Sequence, residues 1–383
     1  MGVFYIDGSV SGAFAGSGSF ASPWTKDSGE GLLEAAQTAI IAAGVGATGD
    51  DIVLKAGGLK LSAPLTRTTD TSQLKPLVIR PLTMDGTQRI DIDMNYQKLW
   101  DTDNVQEGVH WYFCDFHKFG KTHSYSINGD QWSIYWHCSF SGSDAEDGEH
   151  KGVLYTANNS VIIGCRFVND LRVNGLWWRG GGGSLFKQNY LEIDYSSFAV
   201  YTYGAQFVEN ICIINGGGVN IQKGAILPIQ GGLIIRNTFI GKNANAADNG
   251  SGVFISDQYE QNTILNNYFH NCYRSIYLTG TDANSCQVIA GNYEFGTNNT
   301  NGYPNSTNTA LMINNNQSLS ASGLLDPYGS PADYRPNDLL IGKGYDSRSF
   351  SLGGLNTGSL PTIGALGNSS ATVFGQYNPF GKG

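Results

Sequence analysis

Charge is scarce in this chain: only 14% of its 383 residues are Asp, Glu, Lys or Arg. Basic residues are the scarcer sign, 23 against 32 acidic, and the formal charge of −9 repels nucleic-acid phosphates and anionic lipid at long range. Nucleic acid is therefore excluded as the expected partner. No stretch approaches the roughly 18 apolar residues of a membrane span, which excludes membrane insertion by a helix. The six cysteines, Cys114, Cys138, Cys165, Cys212, Cys272 and Cys286, contain no CxxC pair, so neither a zinc cluster nor a disulfide framework is expected. They read as small, reduced core side chains. Also missing are HExxH, GxSxG, a phosphate loop and any Cys/His nucleophile spacing. Met1-Gly2-Val3-Phe4 runs directly into strand-like sequence with no basic start or cleavage site. The expectation is either a leader already removed, with Met1 added, or a protein that leaves the cell another way, for example in a particle released by lysis.

What the chain has is glycine, 51 residues, and one phrase that returns with changed wording. Ser160-Val161-Ile162-Ile163-Gly164-Cys165-Arg166-Phe167 is repeated as Gly232-Leu233-Ile234-Ile235-Arg236-Asn237-Thr238-Phe239 and as Asn262-Thr263-Ile264-Leu265-Asn266-Asn267-Tyr268-Phe269. A fainter copy runs from Ser133 to Phe140, and looser ones lie near Ile193, Ile211 and Val288. A period of about 26 residues with apolar alternation inside each copy predicts the coils of a parallel β-solenoid. A single coil cannot bury its inward face, so each must stack on its neighbours. Two residues before each closing aromatic stands Cys138, Cys165, Asn237 or Asn267. Stacked at one turn, these side chains are expected to meet their counterparts in the next coil and form a ladder that satisfies turn backbone groups.

These phrases resemble those of right-handed parallel β-helix proteins of the pectate-lyase-like group. The entry segments Phe4-Tyr5-Ile6-Asp7-Gly8, Ser22-Pro23-Trp24 and Gly49 to Gly58, and the closing segments Asp338 to Gly344 and Pro361 to Ala365, extend the likeness over nearly the whole chain. The resemblance implies an all-β, single-stranded, right-handed parallel β-helix. It would have an entry strand and capping helix in 1–50, coils in 51–300, a loop-rich closing segment in 301–366 and a tail in 367–383. The group holds lyases, glycoside hydrolases, phage tailspikes and adhesins, so fold alone does not fix activity. Tailspike-like members imply a homotrimer on a virion or extracellular surface, with a surface polysaccharide or other virion proteins as partners. Its lyases combine an acidic calcium cluster with an Arg or Lys base on neighbouring coils, and no matching constellation aligns here. The expected helix starts from a capping box of Asp27 and Glu30, presents Leu32, Leu33, Ala36, Ala39, Ile40 and Ala43 on one face, and closes the open end of the solenoid.

Three places carry candidate chemistry. Glu192 and Asp194, two apart on a strand, point to one side about 6.5 to 7 Å apart, within the span of an inverting glycosidase pair, or are simply solvated outward acids. The loop bearing Asp144, Glu146, Asp147 and Glu149 is either a solvated turn or a Ca²⁺ site of oxygen ligands; no other cofactor is expected. Trp177, Trp178 and Arg179 precede four glycines; one indole is expected in the core and the other on a surface platform for a sugar ring, pushed outward by a bulge at Gly180 to Gly183. An aromatic belt from Trp100 to Trp178 is expected to present further rings to solvent. The expected function is a virion-surface or extracellular, structural and carbohydrate-binding β-helix. The alternatives are a polysaccharide lyase or hydrolase and a purely architectural protein.

Overall fold

The computed structural model describes residues 2–42, 50–65, 76–99, 108–119, 127–141, 153–156, 158–168, 178–194, 198–215, 224–243, 250–255, 262–278, 287–296, 311–314, 317–330 and 332–340. They fall into two compact units, Met1–Leu185 and Phe186–Gly383. Both are parallel β-solenoids whose coils contribute one short strand to each of three sheets. In the first unit, Leu77–Pro81, Val109–Tyr112, Ile134–Trp136 and Val161–Ile163 build the first sheet. The second contains Ile90–Asp93, Cys114–His117, Ser139–Ser141 and Arg166–Val168, and the third Ile127–Asp130, Leu154–Thr156 and Trp178–Gly180. In the second unit the same order recurs, as in Leu233–Ile235, Thr238–Gly241 and Ser251–Ile255. Among the described strand pairs only Leu324–Asp326 with Asp333–Pro336 is antiparallel.

Strict register turns the coils into columns. In the first unit Tyr135 lies between Trp111 and Ile162, and Phe140 between Phe116 and Phe167. The three phenylalanines are fully buried and stack face to face, with centroids 5.2 and 4.6 Å apart. In the second unit Phe239 stacks on Phe269 at 5.0 Å in the equivalent column. Each such ring contributes roughly 2 to 3 kcal/mol of apolar burial, available only because a neighbouring coil covers it.

The corner between the first and second sheets repeats one backbone device. A residue with positive φ, Phe113 (54°), His137 (51°) and Gly164 (65°) in the first unit, Glu209 (57°), Arg236 (54°) and Asn266 (56°) in the second, immediately precedes the ladder residue. The left-handed conformation is disfavoured for residues other than glycine, so something must hold it. The ladder does. Asn210 donates its backbone N–H (2.8 Å) and its amide (3.0 Å) to the Asn237 Oδ1, and Asn237 does the same to Asn267. The ladder also takes in Asn189 and Asn292. In the first unit thiols replace amides: Cys138 reaches the Trp111 carbonyl and Cys165 the Tyr135 carbonyl, at 3.4 Å each. Burial pushes the Cys114 and Cys165 thiols up, as an inert structural role requires. All five described cysteines are free and buried, and Cys286 lies outside the described residues.

The helix spans Leu32–Ala42 and buries Leu32, Leu33, Ala36, Gln37 and Ile40. It closes the edge strand Leu59–Lys60 as expected, since Gly31 donates to the Lys60 carbonyl and Glu34 Oε1 accepts from the backbone of Ser62 and Ala63. The capping box is a correction: Asp27 sits in a separate 3₁₀ turn, Asp27–Gly29, at φ 41°, and Glu30 instead pairs with Lys60 at 3.1 Å. The edge-strand lysine competes for the glutamate. Replacing Asn237 by Ala leaves buried donors on Asn210 and an acceptor at Phe207 without partners. We expect a loss of about 2 to 4 kcal/mol in denaturant unfolding of Asn237→Ala, against less than about 0.5 for an exposed polar substitution.

Candidate functional site

The sequence candidates separate on the structure. Asp144, Glu146, Asp147 and Glu149 lie outside the described residues, as does Trp177. Trp178 is fully buried, its indole N–H donating to Thr156 Oγ1 at 2.9 Å, so of the two indoles it is the one in the core and not a sugar platform. A Cβ at Gly180 would stand 2.1 Å from the Trp178 ring, so the missing side chain makes room for the indole in the core. Arg179 pairs in register with Tyr155 on the third sheet.

Glu192 lies in the strand Tyr190–Asp194 of the second unit, half-buried, and accepts a hydrogen bond from the Tyr190 hydroxyl at 3.0 Å. Asp194 is two residues along that strand, in register with Asn215. The Tyr334 phenol of the C-terminal hairpin is raised by burial and by the Glu192 charge, although a hydrogen bond with Tyr190 opposes the shift. The same hairpin segment covers Tyr268 and His270: Gly323 donates to the Tyr268 hydroxyl, Tyr328 donates to the Gly241 carbonyl, and the His270 ring packs 5.4 Å from Tyr328. His270 Nδ1 is 3.1 Å from the Tyr268 hydroxyl, and burial holds the imidazole down to about 4.

A row that no motif announced lies on the outer face of the second sheet in the first unit. Ile90, Ile92, Cys114 and Phe116 point inward and are fully buried, so alternation turns Asp91, Asp93, Asp115 and His117 outward. Every one is bonded across to a neighbouring coil. Arg89 grips Asp115 through Nε and Nη2 at 2.6 to 2.9 Å and donates from Nη2 to the His137 carbonyl at 2.8 Å. Asp91 meets His117 at 2.9 Å and Asp93 meets Lys118 at 2.5 Å. Burial raises the Asp93 carboxyl, but the Lys118 hydrogen bond and charge, with the Asn95 N–H, bring it below its usual range. Exposed pairs of this kind add little stability singly. They do fix where charged groups stand.

This row meets an aromatic corner. His137 stacks on Phe113 at 5.5 Å and 9°, and a Cβ at Gly164 would come within 2.6 Å of its ring, so the glycine leaves the imidazole its place. Burial, with the Arg89 charge assisting, holds His137 below the ordinary histidine range. Trp136 packs its edge against His137 at 5.3 Å and is 37% exposed, the most exposed described tryptophan. An exposed indole, backed by a stacked imidazole and next to a carbonyl that anchors a guanidinium–carboxylate pair, can stack an apolar ring face and bond the polar groups at its rim.

No family model and no curated protein matches the chain. Among solved structures it is similar to the crystal structure of pectate lyase Pel9A, at 12% identity over 96% of each chain, with a TM-score of 0.45. It is also similar to a mannuronic acid specific polysaccharide family 6 lyase from human gut microbiota, at 12% identity over 84% of this chain and 83% of that one, with a TM-score of 0.42. At these values the strand pairing, not the likeness, carries the fold.

Because the folded state keeps His270 neutral, the unfolded chain binds the extra proton as the pH falls. Its contribution is complete above about 6.5 and is lost toward pH 4, roughly 3 kcal/mol in all. Denaturant unfolding of wild type and His270→Asn across pH 4 to 7 should show that extra acid slope in the wild type alone.

Proposed function

We propose that this chain is a carbohydrate-binding β-solenoid that holds a polysaccharide against the outer corner of its first unit. The observation carrying this reading is the exposed indole of Trp136 packed against His137, whose carbonyl holds Arg89 of the Arg89–Asp115 pair. The carbon-bound hydrogens on a sugar ring face suit an aromatic platform, and hydroxyl pairs at its rim suit planar guanidinium and carboxylate groups. The platform stands on a strand with its neighbours fixed by stacking, so little side-chain freedom is lost on binding. Charged groups repeated at the spacing of about 4.8 Å between strands suit a polymer that repeats its own polar groups. A virion or extracellular surface, with three chains assembled, is the setting we assign to this binding, on the strength of the sequence resemblance.

Cleavage of a polysaccharide at the second unit is the second reading. It is favoured by the half-buried Glu192 carboxylate, which the Tyr190 hydroxyl holds in place. On the binding reading, Trp136→Ala lowers retention on the best of a panel of immobilised bacterial polysaccharides by about tenfold, with unchanged melting. Shortening of a soluble glycan that is lost in Glu192→Gln would favour the enzyme, whereas retention equal to wild type in Trp136→Ala contradicts the site.

A further inference from the structure

Arg274 stands apart from the other guanidinium groups. It lies in the second unit, just before the third-sheet strand Ile276–Leu278, whose Tyr277 is in register with Phe254 of Ser251–Ile255. Its Cζ rests 4.0 Å from the centre of the Tyr277 ring and 5.8 Å from that of Tyr273. Tyr277 is itself backed by Phe254, with centroids 5.3 Å apart. Arg274 Nε is buried, and among the described residues the side chain makes no hydrogen bond or ion pair. The contrast with other described arginines is sharp: Arg89 is held by Asp115, Arg236 by Glu209 and Arg335 by Asp333. The buried carboxylate of Glu294 does not serve Arg274 either: its two oxygens are taken by the hydroxyls of Ser275 and Ser318.

A half-buried guanidinium has lost part of its hydration, and the ring faces of two tyrosines replace only some of it. Its five N–H groups form a planar fork suited to a carboxylate or sulfate, and among the described residues none of them has an acceptor. We infer that Arg274, held over the Tyr277 ring, is the anion-reading element of a second glycan site, which takes a sugar bearing a carboxylate or sulfate while Tyr273 offers its ring beside it. The net charge of −9 opposes indiscriminate uptake of anions, so binding here has to come from the local fork and not from the bulk field. The saccharide half of this inference rests on the carbohydrate reading above; the anion half does not.

Three polymers on one glucan backbone test it: dextran sulfate, carboxymethyl dextran and unmodified dextran, with inorganic sulfate as the bare anion, followed by calorimetry on the full chain at low salt. The expected result is binding of one or both charged dextrans but not of plain dextran, weakened about tenfold or more in Arg274→Gln and less in Arg274→Lys, which keeps the charge but loses the fork. The sulfate and carboxymethyl arms decide which oxyanion is preferred. Trp136→Ala should leave this binding intact, so loss at one site is distinguishable from loss at the other. Charged dextrans that bind Arg274→Gln as tightly as wild type, or that bind neither, overturn the inference. Arg274-dependent binding of inorganic sulfate without either charged dextran also overturns it, leaving a plain anion site. Melting curves of both Arg274 variants show that each is folded under the assay conditions.

Discussion

The structure depends on one constraint, the in-register ladder at the corner between the first and second sheets. Short strands of two to seven residues have too few hydrogen bonds each to choose a register, and a slip by one residue would turn every inward ring to solvent. Asn237 prevents the slip. Its amide bonds the coil on one side through Asn210 and the coil on the other through Asn267, and only one alignment satisfies both. Those same bonds hold a left-handed residue, Arg236, at the turn, so the ladder fixes where each strand ends as well as which residue it faces. The thiols of Cys114, Cys138 and Cys165 take that place in the first unit with weaker bonds, and there the stacked phenylalanines supply more of the specificity.

Once register is fixed, outer side chains fall into columns without further instruction. Inward Ile90, Ile92 and Phe116 oblige Asp91, Asp93 and His117 to face outward, and their partners then come from the next coil. Arg89 crosses two coils to reach the His137 carbonyl and so ties the charged row to the aromatic corner. Function on such a surface is a matter of which outward residues stand on consecutive coils. The fold supplies the spacing, about 4.8 Å, and the sequence supplies the chemistry at each step.

Much of this was legible in the residues. The repeated phrase gave the solenoid, and Cys138, Cys165, Asn237 and Asn267 gave the ladder. Cys114, Asn189, Asn210 and Asn292 belong to it as well, but the last three escaped notice because Leu191, Cys212 and Glu294 replace the closing aromatic that marked the others. The helix was legible from its apolar face, whereas its start was not, since Glu30 finds Lys60 through a contact 30 residues away. Trp178 and its glycines look alike as an outward bulge or as a buried indole over Gly180; only the packing distinguishes them. The Arg89, Asp115 and His137 group was invisible because its bonds span 26 and 48 residues, and no local spacing announces them.

Side-chain footprinting with hydroxyl radicals, read by mass spectrometry with and without a retained polysaccharide, shows whether the glycan covers Trp136. Trp136 should label readily in the free protein and fall several-fold in the complex, while Phe20, 56% exposed at the far N-terminal loop, stays unchanged. A glycan that is retained while Trp136 labels as freely as before would contradict the account.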